Sequence, residues 1–179
     1  MTMKIIFYVA VLLLAFWGYR HFNSAAPTIK TGQIAPSFNL ADSNGNMLSL
    51  ASLKGQWVVL YFYPKDDTPG CTKEACQFRD DLHHLEKLGA QVVGVSVDDR
   101  QSHAAFAKKY ALPFPLLSDA DGAVAAQYGA LTNLGVMKIA KRYTFLIDPQ
   151  GNIAKAYFNV EASTHSQQII DDLQQLQKV

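Results

Sequence analysis

The sequence predicts an α/β domain whose central sheet is covered by helices on both faces, and three observations carry that expectation. Short apolar runs rich in β-branched and aromatic residues, WVVLYFY (57–63), QVVGVSV (91–97) and RYTFLID (142–148), are bounded by Gly, Pro and Asp in the manner of buried strands. Helix-length segments at 72–88, 101–110 and 121–128 separate them. Strands that alternate with helices at this spacing build a sheet buried on both sides.

The remaining elements follow in order. SFNLADSNGNMLSL (37–50) reads as a small hairpin around Asn44-Gly45, a dipeptide suited to tight turns with positive φ. DPQGN (148–152) is a second turn signal, and IAKAYFN alternates after it, so 142–159 is expected as a hairpin on one edge of the sheet. A last helix should start at Ser163 as N-cap and present Ile169, Ile170, Leu173 and Leu176 on one face. No internal repeat interrupts this series.

The N-terminus is of another kind. Residues 5–19, IIFYVAVLLLAFWGY, carry no charge and would span about 22 Å as a helix at 1.5 Å per residue. That is short of a bilayer core, and snorkelling by Lys4 and Arg20 with interfacial Trp17, Tyr19 and Phe22 makes up the difference. The expected organisation is a membrane anchor or signal segment at 1–22, a linker at 23–33 and the domain at 34–179. Cleavage at Ser24-Ala25-Ala26 is the rival reading, disfavoured by Pro27 and by Arg20-His21. Lys4 and the terminal amine outweigh Arg20, which favours a periplasmic or other extracytoplasmic domain.

Composition removes several functions. Across 179 residues, 16 Lys and Arg oppose 15 Asp and Glu, the net charge is +1, and no basic run exceeds two residues, so no nucleic acid is gathered by bulk charge. An apolar content of 49% excludes disorder. The two cysteines, Cys71 and Cys76, are too few for a disulfide scaffold or a four-cysteine zinc site.

Chemistry concentrates around those two thiols. Thr68 before Pro69 reads as an N-cap followed by proline in the first helical position, which places Cys71 in the first turn. If Pro69-Gly70 is a turn instead, Cys71 still lies at a helix N-terminus. Free N–H groups and the positive end of the helix dipole there favour a thiolate, the reactive form. Cys76 follows on the same helix with its Cα about 8–9 Å from that of Cys71, whereas a disulfide needs less than about 7 Å. Either the pair never joins or the helix unwinds when it does. The five histidines, His21, His83, His84, His103 and His165, read as surface residues, as do Asp66, Asp67, Asp80 and Asp81. Asp119-Ala-Asp121-Gly122 reads as a turn, because it lacks the other ligands of a calcium loop.

Pro64, Thr68 and Cys71 in PKDDTPGC match the Pro-x-x-x-Thr-x-x-Cys motif of peroxiredoxins. CTKEAC resembles the cysteine pair of the bacterioferritin-comigratory, or Q-type, subfamily, and RYTFLIDPQG resembles its strand with the active-site arginine, at Arg142. The resemblance covers about residues 29–178. It implies a thioredoxin-like fold of peroxiredoxin type, a central mixed sheet flanked by helices. It also implies that Cys71 is the peroxidatic cysteine and Cys76 the resolving one. Arg142 would hold the thiolate and polarise the peroxide, Thr68 would align it, and Pro64 would shield the site. Glu74 would orient neighbouring groups. The implied partners are a peroxide, a thioredoxin or thioredoxin-like reductant, and a membrane through residues 5–19. No metal or organic cofactor is implied, and an intramolecular pair makes a monomer the default.

Two departures accompany the match. Residues 128–142, YGALTNLGVMKIAKR, are shorter and more apolar than in many relatives, and the apolar N-terminus is foreign to the usual cytosolic members. Three rivals stand beside the peroxidase, one of them a redox-inert interaction module that would lose no activity in Cys71→Ser. A membrane-tethered thiol-disulfide oxidoreductase would be expected to carry Cys-x-x-Cys, which is missing, and a thioredoxin-fold copper chaperone would use both cysteines with a histidine such as His165.

Overall fold

The run expected as the first long strand is an interior strand of the sheet in a computed structural model, which describes residues 29–178. That strand, β3 (Trp57–Phe62), pairs in parallel with β4 (Ala90–Ser96) and antiparallel with β8 (Tyr143–Ile147). With β1 (Asn39–Asp42), β2 (Met47–Ser49), β5 (Leu116–Ser118) and β9 (Ile153–Tyr157), it forms a mixed sheet in the order β2-β1-β5-β4-β3-β8-β9. This is the thioredoxin-like arrangement expected of the chain. The hairpins around Asn44-Gly45 and at 142–159 are both present, the second placing β9 on an edge.

Alternation along β3 sorts the core into two layers, because successive side chains point to opposite faces. Val58, Leu60 and Phe62 pack with Ile29, Leu53, Val124 and Tyr128. Val59, Tyr61 and Tyr63 pack on the other face with the longer helices: α1 (Pro69–Asp80), α2 (Leu82–Lys87), α3 (Arg100–Tyr110) and α5 (His165–Leu176). The short α4 (Ala123–Gln127) and a 3-10 turn (Leu50–Leu53) lie on the first face. A two-stranded sheet, β6 (Leu131–Asn133) with β7 (Lys138–Ala140), joins none of the seven main strands.

Several boundaries differ from those expected. The segment 72–88 is two helices, because the backbone at Asp81 (φ −95°, ψ 3°) closes α1 and opens α2, and its carboxylate accepts from Ser166 Oγ. The last helix begins at His165 with Thr164 in the cap position, since Ser163 spends its hydroxyl on Glu161. Leu176 is 38% exposed while Ile169, Ile170 and Leu173 are buried. The end of the expected linker is docked: Ile29 is in the core, Gly32 N donates to Ile153 O, and Gln33 O accepts from Ile153 N. His103, His165 and Asp66, expected at the surface, are buried. So is Asp119, whose carboxylate accepts from the backbone N–H of Val124 and Ala125 and so caps α4. The membrane segment expected at 1–22 lies outside the described residues, and among those described no helix is long and apolar enough to cross a membrane.

The burial contrast within α5 predicts unequal costs. Leu173→Ala should lower stability by about 2–5 kcal/mol by opening a cavity, and Leu176→Ala should stay within about 0.5 kcal/mol, as surface changes do. Urea unfolding midpoints of the two variants check this.

Candidate active site

Cys71 sits where the sequence placed it, in the first turn of α1, with Thr68 in the N-cap position and Pro69 first in the helix. The loop from Tyr63 to Thr68 carries the chain from the end of β3 to that helix, and the Cys71 side chain is buried in the layer between α1 and the sheet. Arg142 reaches it from the residue before β8. Its Nη2 donates to Cys71 Sγ at 3.2 Å, and its Nη1 donates to Glu74 Oε2. One guanidinium therefore ties the N-terminal turn of α1 to the neighbouring strand, using the fork of donors that distinguishes arginine from lysine.

Glu74 is the counterpart that holds this fork. It is buried on the turn after Cys71, and burial pushes its carboxyl up to about 7 against the pull of Arg142. Its second oxygen, Oε1, has no donor among the described residues. For Arg142, burial works against the charge, but the Glu74 carboxylate and the Cys71 sulfur outweigh it. Gly70 eases the approach, because a Cβ there would lie 3.1 Å from Arg142 Nη2, close enough to push the guanidinium by a few tenths of an ångström. The sequence gives no sign of that role for Gly70.

Thr68 and Pro64 are on the same loop, and both are half-buried. The Thr68 hydroxyl donates to Lys65 O at 3.0 Å and makes no hydrogen bond to Cys71 among the described residues, so its lone pairs are its means of meeting a ligand. Cys76 is five residues along α1, half-buried, and both thiols are free. Past it the helix is held firmly: Phe78 is in the core, and Arg79 Nη1 donates to Tyr110 O at 2.7 Å.

A buried network that the sequence did not reveal secures the loop. Asp66 accepts from Tyr63 OH (2.7 Å) and Ser102 Oγ (2.7 Å) and pairs with His103 Nδ1 (2.8 Å), while its own N–H donates to Asp98. Burial works to raise the Asp66 carboxyl, but the contacts with His103, Ser102 and Tyr63 bring it below its ordinary value. Asp67 adopts φ 56°, a left-handed conformation that costs a non-glycine residue energy. It is held there by Lys109 Nζ (2.6 Å) and Tyr110 OH (2.6 Å). Only the aspartate pair at 66–67 and the His103 to Tyr110 helix in register could have signalled this, and their contact is long-range.

A copper site would need His165 near the cysteines. Its ring is buried against Phe78 and Tyr157, Nε2 lies 2.8 Å from Thr144 Oγ1, and burial lowers its pKa to about 4. Among the described residues, no group of three His, Cys, Asp or Glu side chains is arranged to hold a metal ion.

With that geometry in place, likeness to known proteins is informative. The AhpC/TSA family pattern matches residues 31–156. A bcp-type peroxiredoxin of Coxiella burnetii is 47% identical over 152 residues, 82% of this chain and 99% of that protein. The peroxidoxin BcpB of Mycobacterium tuberculosis superimposes with a TM-score of 0.79 at 37% identity, covering 83% of this chain and 98% of the other. The bacterioferritin comigratory protein of Xanthomonas campestris, studied for its alkyl peroxide reduction activity, gives 0.75 at 32%, covering 82% and 99%.

Glu74 predicts a pH dependence of stability. Its carboxyl is raised in the folded state, so the stability it contributes is fully present below about pH 4.5 and is lost as pH rises through about 7. Relative to Glu74→Gln, the parent chain should lose about 3 kcal/mol between those limits, at 1.36 kcal/mol per pH unit. Urea unfolding at pH 4 and pH 8 measures it, and equal slopes in both proteins would count against a buried, charge-averse Glu74.

Proposed function

Because the chain belongs to the AhpC/TSA family, in its peroxiredoxin Q and bacterioferritin-comigratory branch, we propose that this thiol-dependent peroxidase works through a sulfenic acid at Cys71 and a Cys71–Cys76 disulfide. The observation that supports this most is the Arg142 donor 3.2 Å from Cys71 Sγ at a helix N-terminus. A guanidinium stays charged throughout the working pH range, so it complements both a thiolate and the negative charge that moves onto the peroxide.

The Cys71 thiolate attacks one peroxide oxygen, the S–O bond forms as the O–O bond breaks, and the departing oxygen takes a proton to leave as water or an alcohol. The electron pair comes from sulfur, which is oxidised to the sulfenic acid. Cys76 then displaces the sulfenic oxygen as water and closes the disulfide. A second dithiol returns both sulfurs to thiols. Thr68 orients the peroxide through its oxygen, and Pro64, which has no N–H, helps to keep water off the loop.

Resolution has a structural requirement. The cysteines are about 8–9 Å apart on an intact helix and must come within about 7 Å, so the turns between them unwind. The anchoring of Phe78 and Arg79 confines that unwinding to the part of α1 before residue 78. A short segment that opens while the core stays closed fits the low-stability end of a fold.

The apolar run at 5–19 supports an anchored, extracytoplasmic placement of the domain, with a thioredoxin-like dithiol protein on the same side of the membrane as reductant. An intramolecular disulfide lets the chain work as a monomer. Copper binding has no support in the placement of His165, and exchange of disulfides without peroxide would leave the Arg142 contact with Cys71 unexplained.

Peroxide consumption by the full chain in detergent with dithiothreitol tests the assignment. Cys71→Ser should abolish turnover, and Cys76→Ser should accumulate a sulfenic acid that dimedone traps. Full turnover in Cys71→Ser would refute the reading.

A further inference from the structure

The β6–β7 hairpin takes no part in the chemistry above, yet its tip is apolar. Leu134, Val136 and Met137 are 58%, 102% and 51% exposed, three of four consecutive residues. Single exposed apolar side chains are ordinary, but several together on one projecting turn form a patch that calls for a partner. The turn is built to hold its shape: Leu134 N donates to Met137 O, and Asn133 Oδ1 accepts from Gly135 N. Lys138 and Lys141 follow immediately and tie the hairpin to the domain, Lys138 Nζ donating to Asp121 O at 2.6 Å and Lys141 Nζ to Gly129 O at 3.3 Å.

The hairpin springs from the side of the domain where the chain comes in. Tyr128, just before its root, donates to Pro36 O at 2.6 Å, and Lys141 N donates to Ala130 O across the root itself. Ala140 and Ile29 are both buried on the same face of the sheet, and Ile34 on the incoming segment is exposed. Upstream of Ile29, residues 20–28 separate the domain from the uncharged run 5–19. Nine residues reach at most about 30 Å when fully extended. That is about twice the radius of gyration of a domain of this size, so a domain tethered by 5–19 works against the membrane surface.

We propose that the hairpin tip is a lipid-contact surface. Leu134, Val136 and Met137 enter the interfacial region of the membrane that holds residues 5–19. This rests on the reading of 5–19 as an anchor. Because β7 runs through Lys141 directly into Arg142, seating the hairpin brings the Cys71 site to hydroperoxides carried on membrane lipids.

The test uses the full-length chain reconstituted in phosphatidylcholine and phosphatidylglycerol vesicles. Val136→Asp should reduce turnover of a phosphatidylcholine hydroperoxide in those vesicles about tenfold, the scale of one lost apolar insertion. Hydrogen peroxide turnover in the same sample should change by less than about twofold, since Val136 lies outside the catalytic groups. In a second variant, Val136→Trp, brominated acyl chains should quench the added emission. Equal effects on both peroxides, or an unquenched Trp in chains that co-sediment with the vesicles, overturn the hairpin contact and leave the anchor standing. Failure of the parent chain to co-sediment overturns both.

Discussion

The contact on which the rest of the site depends is the two-armed grip of Arg142 on Cys71 and Glu74. It crosses from the strand side of the fold to the first turn of α1, so it exists only if the sheet, the helix and the loop between them are in register. Each component has an evident structural cause. The antiparallel pairing of β8 with β3 places Arg142 beside the end of the strand that launches the loop. Proline in the first helical position starts α1 at the right residue, and Gly70 leaves room for the guanidinium. Burial of Glu74 makes its charge costly, and the same burial makes its bond to Arg142 strong enough to orient the donor that faces sulfur.

Peroxidase chemistry then sets a conflict that the fold resolves by dividing one helix. In the proposed cycle the N-terminal part of α1 is ordered when it presents Cys71 and opens when Cys76 reaches it. Its far end, by contrast, is sewn to the core by Phe78 and to α3 by Arg79. The loop on the other side is held by Asp66 with His103, and by Asp67 with Lys109 and Tyr110. Both anchorages lead to α3, so that helix frames the turn that carries Cys71.

Much of this was legible in the sequence, for reasons that differ by residue. The strands declared themselves through β-branched and aromatic runs, the start of α1 through Thr-Pro-Gly, and the cysteine and arginine positions through local motifs and their family resemblance. Local signals sufficed because each of these features is decided by residues close in the chain. The break at Asp81 and the burial of His103 and His165 were not legible, because each is decided by a distant partner: Ser166, Asp66 and Thr144. The true start of α5 was missed for a local reason, the turn of the Ser163 hydroxyl to Glu161. An aspartate at 66 looks solvated until the helix carrying Ser102 and His103 packs over it. Thr68 was placed correctly in the cap, but its hydroxyl turned to Lys65 O, a choice of rotamer that sequence does not record.

In the proposed cycle one arginine donor makes Cys71 reactive toward peroxide, and the single-turnover rate of Cys71 oxidation in Arg142→Met is the measurement that decides it. Rapid mixing of reduced protein with hydrogen peroxide, followed by alkylation and mass measurement, gives that rate without the reductant step. Loss of a preorganised donor to developing charge costs about 10²–10³ in rate, so a fall of that size is expected while the fold is retained. A rate within about twofold of the parent chain, too small a change for a lost transition-state contact, would contradict the account.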